Sequence, residues 1–182
     1  MDIKYKIEFF SNWHCGSGLA AGADVDALVV KDCNGLPYVP GKTIKGLLRE
    51  AAEVLNADSA EVNKIFGLSG EADLPANRST RAGEAFFGNA TLPEGAAIVS
   101  ARLEEHLFQT ISSTAIDEKS GIAKDNSLRR IQTVVPCSLE GEVRNVPENG
   151  KILLEQAMQM IKRIGTGRNR GYGRCKISII NG

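Results

Sequence analysis

Gly165-Thr-Gly-Arg-Asn-Arg-Gly-Tyr-Gly-Arg174 packs four glycines and three arginines into ten residues. Glycine permits left-handed and crowded backbone positions. Successive N–H groups in such a turn form an anion nest, and arginine adds forked donors that suit phosphate. Gly165, Gly167, Gly171 and Gly173 with Arg168 and Arg170 therefore read as a phosphate-gripping loop. A tight connection with solvated arginines is the plainer alternative. The stretch is not a Walker loop, because no Gly-Lys-Ser/Thr closes it. It is not a dinucleotide fingerprint either, because it leads into a strand rather than opening a helix.

Upstream, residues 151–164 predict a helix, with Ile152, Leu153, Gln156, Ala157, Met160, Ile161 and Ile164 on its core side. Downstream, residues 175–180 predict a strand. At the other end, residues 3–10 alternate so that Ile3, Tyr5, Ile7 and Phe9 share a face, which predicts another strand. A polar turn over 11–18 carries Trp13 and His14. His14 either anchors that loop, touches a phosphate or base, or assists proton transfer. Residues 19–26 form a small-residue loop that presents Asp24 and Asp26 ahead of a short strand at 27–31. Two such carboxylates beside a basic surface suit metal-assisted phosphodiester chemistry. Acids bonded to their own turns are the alternative.

Asn34-Gly35 signals a hairpin turn. Pro40-Gly41 leads into a helix over 42–55, with Ile44, Leu47, Leu48, Ala51, Ala52 and Leu55 at helical spacing. Lys42, Lys45 and Arg49 lie on its other side. Basic residues at a helix start oppose the macrodipole. Lys42, Thr43 and the first-turn N–H groups therefore read as an anion site. Gly46 inside the helix hints at a close approach by another backbone or a ligand. Residues 56–82 read as a polar, partly helical insertion with an apolar cluster at Val62, Ile65 and Phe66; Arg78 and Arg81 follow it. A strand over 84–92 carries Phe86 and Phe87. Residues 94–133 read as a long irregular excursion with a hairpin-like projection turning at Ser120-Gly121. Its Lys119, Lys124, Arg129 and Arg130 can reach nucleic acid, and disorder in the isolated chain is the alternative. Residues 133–143 predict a strand interrupted by Pro136.

The order strand, helix, strand, excursion, strand, helix, strand is βαββαβ, an α+β ferredoxin-like fold. One sheet face is expected to carry helices. The other is expected to be a free RNA platform that includes the glycine-arginine loop. The 182 residues read as a single domain with insertions at 56–82 and 94–133. The hydrophobic fraction of 42% supports a core, and 22 basic and 22 acidic side chains cancel. The charges are uneven. Residues 162–176 hold Lys162, Arg163, Arg168, Arg170, Arg174 and Lys176 without an acid, while Glu53, Asp58, Glu61, Glu71 and Asp73 make the middle acidic. Cys15, Cys33, Cys137 and Cys175 form no C-x-x-C pair, which argues against structural zinc. With no signal peptide and no apolar run of roughly 18 residues, a cytoplasmic location without membrane contact is expected.

Four stretches together resemble the RAMP superfamily of CRISPR-associated proteins, and more narrowly the backbone subunit of type III effector complexes. They are Val25-Asp-Ala-Leu-Val-Val-Lys-Asp32, Leu36-Pro-Tyr-Val-Pro-Gly-Lys-Thr-Ile-Lys-Gly-Leu-Leu-Arg49, Ile116-Asp-Glu-Lys-Ser-Gly-Ile-Ala-Lys-Asp-Asn-Ser127 and the glycine-arginine loop. The resemblance implies a modified RRM fold that assembles head to tail, as copies or related subunits, along a guide CRISPR RNA with other effector subunits. A palm would hold the guide, and a thumb over 116–127 would intrude between guide and complementary target RNA. Lys42, Thr43, Lys45 and Arg49 would contact guide phosphate. Asp26 falls where family members that cut target RNA place an aspartate, with Asp24 nearby. The expected cofactor is a divalent cation, Mg²⁺ or Mn²⁺, at Asp26, and the expected reaction is attack by a target 2′-hydroxyl. A non-catalytic guide-binding scaffold and a repeat-RNA processing nuclease using His14 are the rivals.

Overall fold

The computed structural model of the chain describes residues 1–22, 24–55, 58–68, 81–96 and 104–180. Arg78, Glu71 and Asp73 lie outside them. The central sheet holds β1 (Ile3–Phe9), β2 (Phe86–Phe87), β5 (Ser138–Arg144) and β6 (Cys175–Ile179) in the order β2-β5-β1-β6, every pair antiparallel. Helices α1 (Gly41–Val54) and α3 (Gly150–Met160) pack together on one face, and α2 (Ser59–Phe66) packs on α1. This is the ferredoxin-like α+β arrangement read from the sequence.

Alternation builds the sheet. Ile3, Tyr5, Ile7 and Phe9 of β1, Leu139 and Val143 of β5, and Cys175 and Ile177 of β6 all point into the core. Ile44, Leu48, Ala51 and Ala52 of α1 meet them, with Leu153, Leu154, Ala157 and Met158 of α3. Gly141 leaves the space Tyr5 needs, since a Cβ there would sit 2.4 Å from the phenol oxygen.

The opposite face, where a free RNA platform is expected, carries paired charges. Its register sets Lys4 across from Glu142, Lys6 across from Glu140, and Glu8 across from Lys176. Opposite charges placed directly across a ladder compensate each other. Phe86 on this face is covered by Arg144, whose guanidinium carbon lies 4.6 Å from the ring centroid.

The α3 helix is shorter than its apolar spacing suggests. It stops at Met160 because the next residues pair with the start of β6. Cys175 N–H donates to Lys162 O at 2.9 Å, and Ile164 N–H to Gly173 O at 2.9 Å. Its buried face is also rotated: Ile152 is 66% exposed, Gln156 and Met160 are exposed, and Leu154 and Met158 take the inner positions. The strand expected over 84–92 forms a ladder only at Phe86–Phe87. Beyond it Gly88 and Thr91 still bond to β5, while Val39 and Ala90 exchange both backbone hydrogen bonds at 2.9 Å on the other side. Residues 27–31 make isolated bridges to three different segments rather than a strand.

The excursion is more ordered than its composition indicated. Strands β3 (Phe108–Ser113) and β4 (Arg129–Val134) form a separate two-stranded ladder of six residue pairs. Half of its side chains are exposed and only two are buried, so few apolar residues marked it. Pro136 does not interrupt one strand; it separates β4 from β5, which belong to different sheets. Between β3 and β4 the chain turns back through an Ile116–Ala123 bridge. Asp117 organises this turn. Its carboxylate accepts from the N–H groups of Lys119 and Ser120 and from the Ser120 hydroxyl at 3.0–3.1 Å. Those bonds, the Ser120 N–H first, hold its carboxyl below the usual range.

Candidate nucleic-acid interface

The glycine-arginine loop joins the end of α3 to β6, and its backbone requires its glycines. Gly165, Gly167, Gly171 and Gly173 all have positive φ, at 96°, 73°, 90° and 67°. A Cβ would lie 2.3 Å from His14 O at Gly165 and 1.9 Å from Ile164 O at Gly173. The loop is seated on residues 10–14. Thr166 N–H donates to His14 O at 2.9 Å, Gly173 N–H to Asn12 O at 2.8 Å, and Phe10 N–H to Arg174 O at 2.8 Å. The Ser11 hydroxyl donates to Gly171 O and accepts from Arg174 N–H. Several N–H groups expected to be open in a nest are therefore spent on the protein. What stays available is the side chains. A 3₁₀ turn, Arg168–Arg170, is held between two left-handed glycines, and its residues are exposed. Among the described residues the side chains of Arg168, Arg170 and Arg174 make no ion pair or hydrogen bond.

Beside this loop runs an open groove of about 1440 Å³. Its walls come from the second half of α1, the end of α3, the glycine loop, Phe10 and the β3–β4 ladder. Among the described residues, seven basic ones line it (Arg129, Lys162, Arg163, Arg168, Arg170, Arg174 and Lys176) against a single acid, Glu50. Low-dielectric walls of one charge sign concentrate field and attract a polyanion. The chain's net charge of zero hides this separation.

Asp26 lies at the flank of β4. Its N–H donates to Arg130 O at 2.8 Å, and its carboxylate accepts from Arg130 N–H at 2.6 Å. Asp26 is thus an exposed acid clamped to the projecting ladder. Asp24, also exposed, is held through its backbone to Ala21 O. Among the described residues no three His, Cys, Asp or Glu side chains converge as a metal cluster.

His14 is 4% exposed and does not line the groove. Its Nδ1 lies 2.6 Å from Gln132 O, and since a carbonyl only accepts, that nitrogen carries the proton. Gln132 in turn donates its N–H to Ala27 O and accepts from Val29 N–H. The histidine therefore ties the glycine loop to β4 and to the segment that follows Asp26. Both alternatives that need an accessible ring, RNA contact and proton transfer, meet a buried one.

The start of α1 lies outside the groove. Gly41 N–H donates to Asn89 Oδ1 at 2.9 Å, and the Thr43 and Ile44 N–H groups go to Pro40 O. Lys42 is exposed and Thr43 and Lys45 are half-buried, but none of the three lines the groove. Arg49 is turned toward α2. It bonds Glu53 at 2.8 Å, Gly67 O at 2.9 Å and Asn63 at 3.5 Å. The expected close approach at Gly46 is not made among the described residues, where a Cβ would meet nothing within 4 Å. Lys124 sits exposed on the turn between β3 and β4, and Arg129 and Arg130 are exposed on β4.

Burial pushes the Cys15 and Cys175 thiols up to about 12, so neither supplies a thiolate near neutral pH. No helix among the described residues is long and apolar enough to cross a membrane. Phe10 was not singled out in the sequence, although the alternation that buries Phe9 places Phe10 on the other side of the backbone.

A search of curated protein sequences returns no match. Solved structures do match in fold. One is a chain of the type III-B Cmr-beta bound to cognate target RNA, at 9% identity and TM-score 0.74, covering 98% of this chain and 97% of that one. Another comes from the type III-B Cmr-beta in the apo state, at 10% identity and TM-score 0.73, covering 100% and 98%. The RAMP superfamily model matches residues 6–176, from within β1 to the start of β6, which takes in both sheet-covering helices, the β3–β4 projection and the glycine loop, and the chain belongs to that superfamily.

Proposed function

We propose that this chain is a guide-RNA-binding backbone subunit of a type III CRISPR effector complex. The observation that carries the reading is the groove beside the glycine-arginine loop, with seven basic side chains against one acid among the described residues. Phosphate contacts of this kind give affinity without sequence readout. That suits a subunit holding guides of any sequence. The fold likeness to chains of type III-B Cmr-beta supports the assembly context, including complementary target RNA and neighbouring effector subunits. The test is titration of a labelled single-stranded RNA at several salt concentrations. A slope of about −0.7 per neutralised phosphate in log K against log salt is expected. Salt-independent binding, or none, sinks the reading.

A second reading adds target cleavage. It is favoured by Asp26, whose carboxylate is fixed on Arg130 N–H at the flank of the projecting ladder while remaining exposed. In this reading a target 2′-oxygen attacks the adjacent phosphate, leaving a cyclic phosphate and a 5′-hydroxyl, and Asp26 supplies a positioned negative charge. A divalent cation, Mg²⁺ or Mn²⁺, fits here only if RNA phosphates and water complete its coordination around Asp26 and Asp24. Asp26→Asn keeps an acceptor for Arg130 N–H and removes the charge. Loss of target cutting with unchanged guide binding supports catalysis, as does resistance of a 2′-deoxy target. Unchanged cutting by Asp26→Asn leaves the subunit a scaffold.

A further inference from the structure

The groove contains a flat apolar surface that phosphate binding does not use. Phe10 follows the last residue of β1 and is 54% exposed. Phe9 turns inward and stacks on Trp13 at 4.6 Å, so strand alternation sends Phe10 the other way. Its backbone is fixed to the glycine loop on both sides. Phe10 N–H donates to Arg174 O at 2.8 Å, and the Ser11 hydroxyl bonds Gly171 O and Arg174 N–H at 2.9 and 3.0 Å. The Phe10 backbone is therefore anchored to the loop that carries Arg168 and Arg170.

Three other aromatic rings near the surface already have neighbours. Phe86 lies under Arg144, Phe108 lies under Lys31, and the Tyr172 ring fills the space above Gly167. For Phe10 no ring or cation contact is found among the described residues, although it lines the same groove as Arg168, Arg170 and Arg174. An exposed aromatic face framed by cations matches a nucleotide, with the base against the ring and phosphates against the guanidiniums.

We propose that Phe10 is a base-stacking platform for one unpaired nucleobase of the RNA strand held in the groove. This rests on the RNA-holding reading above. Every base has a π-face, so the contact adds affinity and strand register without selecting a sequence.

The test uses the full chain, a fluorescent single-stranded RNA and a probe of equal length with abasic sugars. Phe10→Ala, Phe10→Leu and Phe10→Trp are compared with wild type by anisotropy across salt. Removing one stack is expected to weaken intact-RNA binding about ten- to hundredfold in the Ala and Leu variants, while Trp retains it. The salt slope is expected to stay that of wild type, and all four proteins are expected to bind the abasic probe alike. If wild type binds no RNA, the RNA-holding reading fails and takes this one with it. If wild type binds and Phe10→Ala binds intact RNA equally well, only the stacking inference is overturned. Equal losses on intact and abasic RNA, full affinity in Phe10→Leu, or a loss of self-association with RNA binding unchanged overturn it likewise. The last result would assign the ring to a second copy of the chain.

Discussion

Two stretches of this chain look alike on paper and behave differently in the fold. Residues 40–45 and 165–174 both combine glycine with basic side chains beside a helix end, and both read as phosphate grips. At the start of α1 the glycine serves packing. A Cβ on Gly41 would lie 2.1 Å from Phe87 O, and Asn89 takes the Gly41 N–H. In the glycine-arginine loop the glycines again serve packing, against His14 O and Ile164 O, but the chain's path then presents three arginines whose side chains have no hydrogen-bond or ion-pair partner among the described residues. A glycine near basic residues marks a crowded backbone in both places. Whether the charges remain available depends on what the rest of the chain places beside them.

Substitutions can break this comparison. Gly173→Ala sets a side chain onto Ile164 O at positive φ, and is expected to cost on the order of 3 kcal/mol. A thermal melt would show this as a fall of about 6–12 °C. RNA affinity, measured below the melt, should fall with it. Gly41→Ala is expected to cost a similar stability and leave RNA affinity unchanged; an equal loss of affinity would erase the distinction between the two stretches. Next in size, Arg168→Ala with Arg170→Ala should weaken RNA binding about tenfold and reduce the salt slope by about 1.4. Lys42→Ala with Lys45→Ala should change affinity by less than about twofold, since neither side chain lines the groove. A larger effect from the lysine pair would bring the α1 start back as a phosphate contact. Arg49→Ala removes the bonds that hold α1 to Asn63 and Gly67 and should cost about 1 kcal/mol in denaturant unfolding, with RNA affinity retained. The smallest effect is of opposite sign. Gly46→Ala, in an exposed helical position with open space around it, should gain about 0.5–1 kcal/mol. A drop in RNA affinity or assembly in that variant would show that a ligand or neighbour needs the gap.

Much of the fold was legible because its elements carry their own period. β1 alternates cleanly, and Ile44, Leu48, Ala51 and Ala52 repeat at helical spacing, so burial follows directly from the pattern. The β3–β4 ladder was not legible, because a strand pair with only two buried side chains needs few apolar residues. The end of α3 was not legible either. Ile161 and Ile164 continue the apolar spacing, yet hydrogen bonds to β6 draw that segment out of the helix. For the candidate site, the arginines of the loop were visible as charge. Lys42, Lys45 and Arg49 were equally visible, and only their surroundings separate them from the groove. His14 carried no local sign of burial; its neighbours there, Gln132 and Gly165, are more than a hundred residues away in the chain.

The sequence by itself determined the ferredoxin-like order of elements, the uneven placement of charge and the need for glycine at 165–173. Those properties are set by side-chain period, charge and backbone freedom, which act within a few residues. Only the tertiary structure decided which cations share a groove, which are consumed by neighbouring carboxylates and carbonyls, and that Asp26 is clamped to the projecting ladder. Electrostatic and hydrogen-bonding partners are chosen by distance in space, and distance in space is what the chain's long-range packing creates.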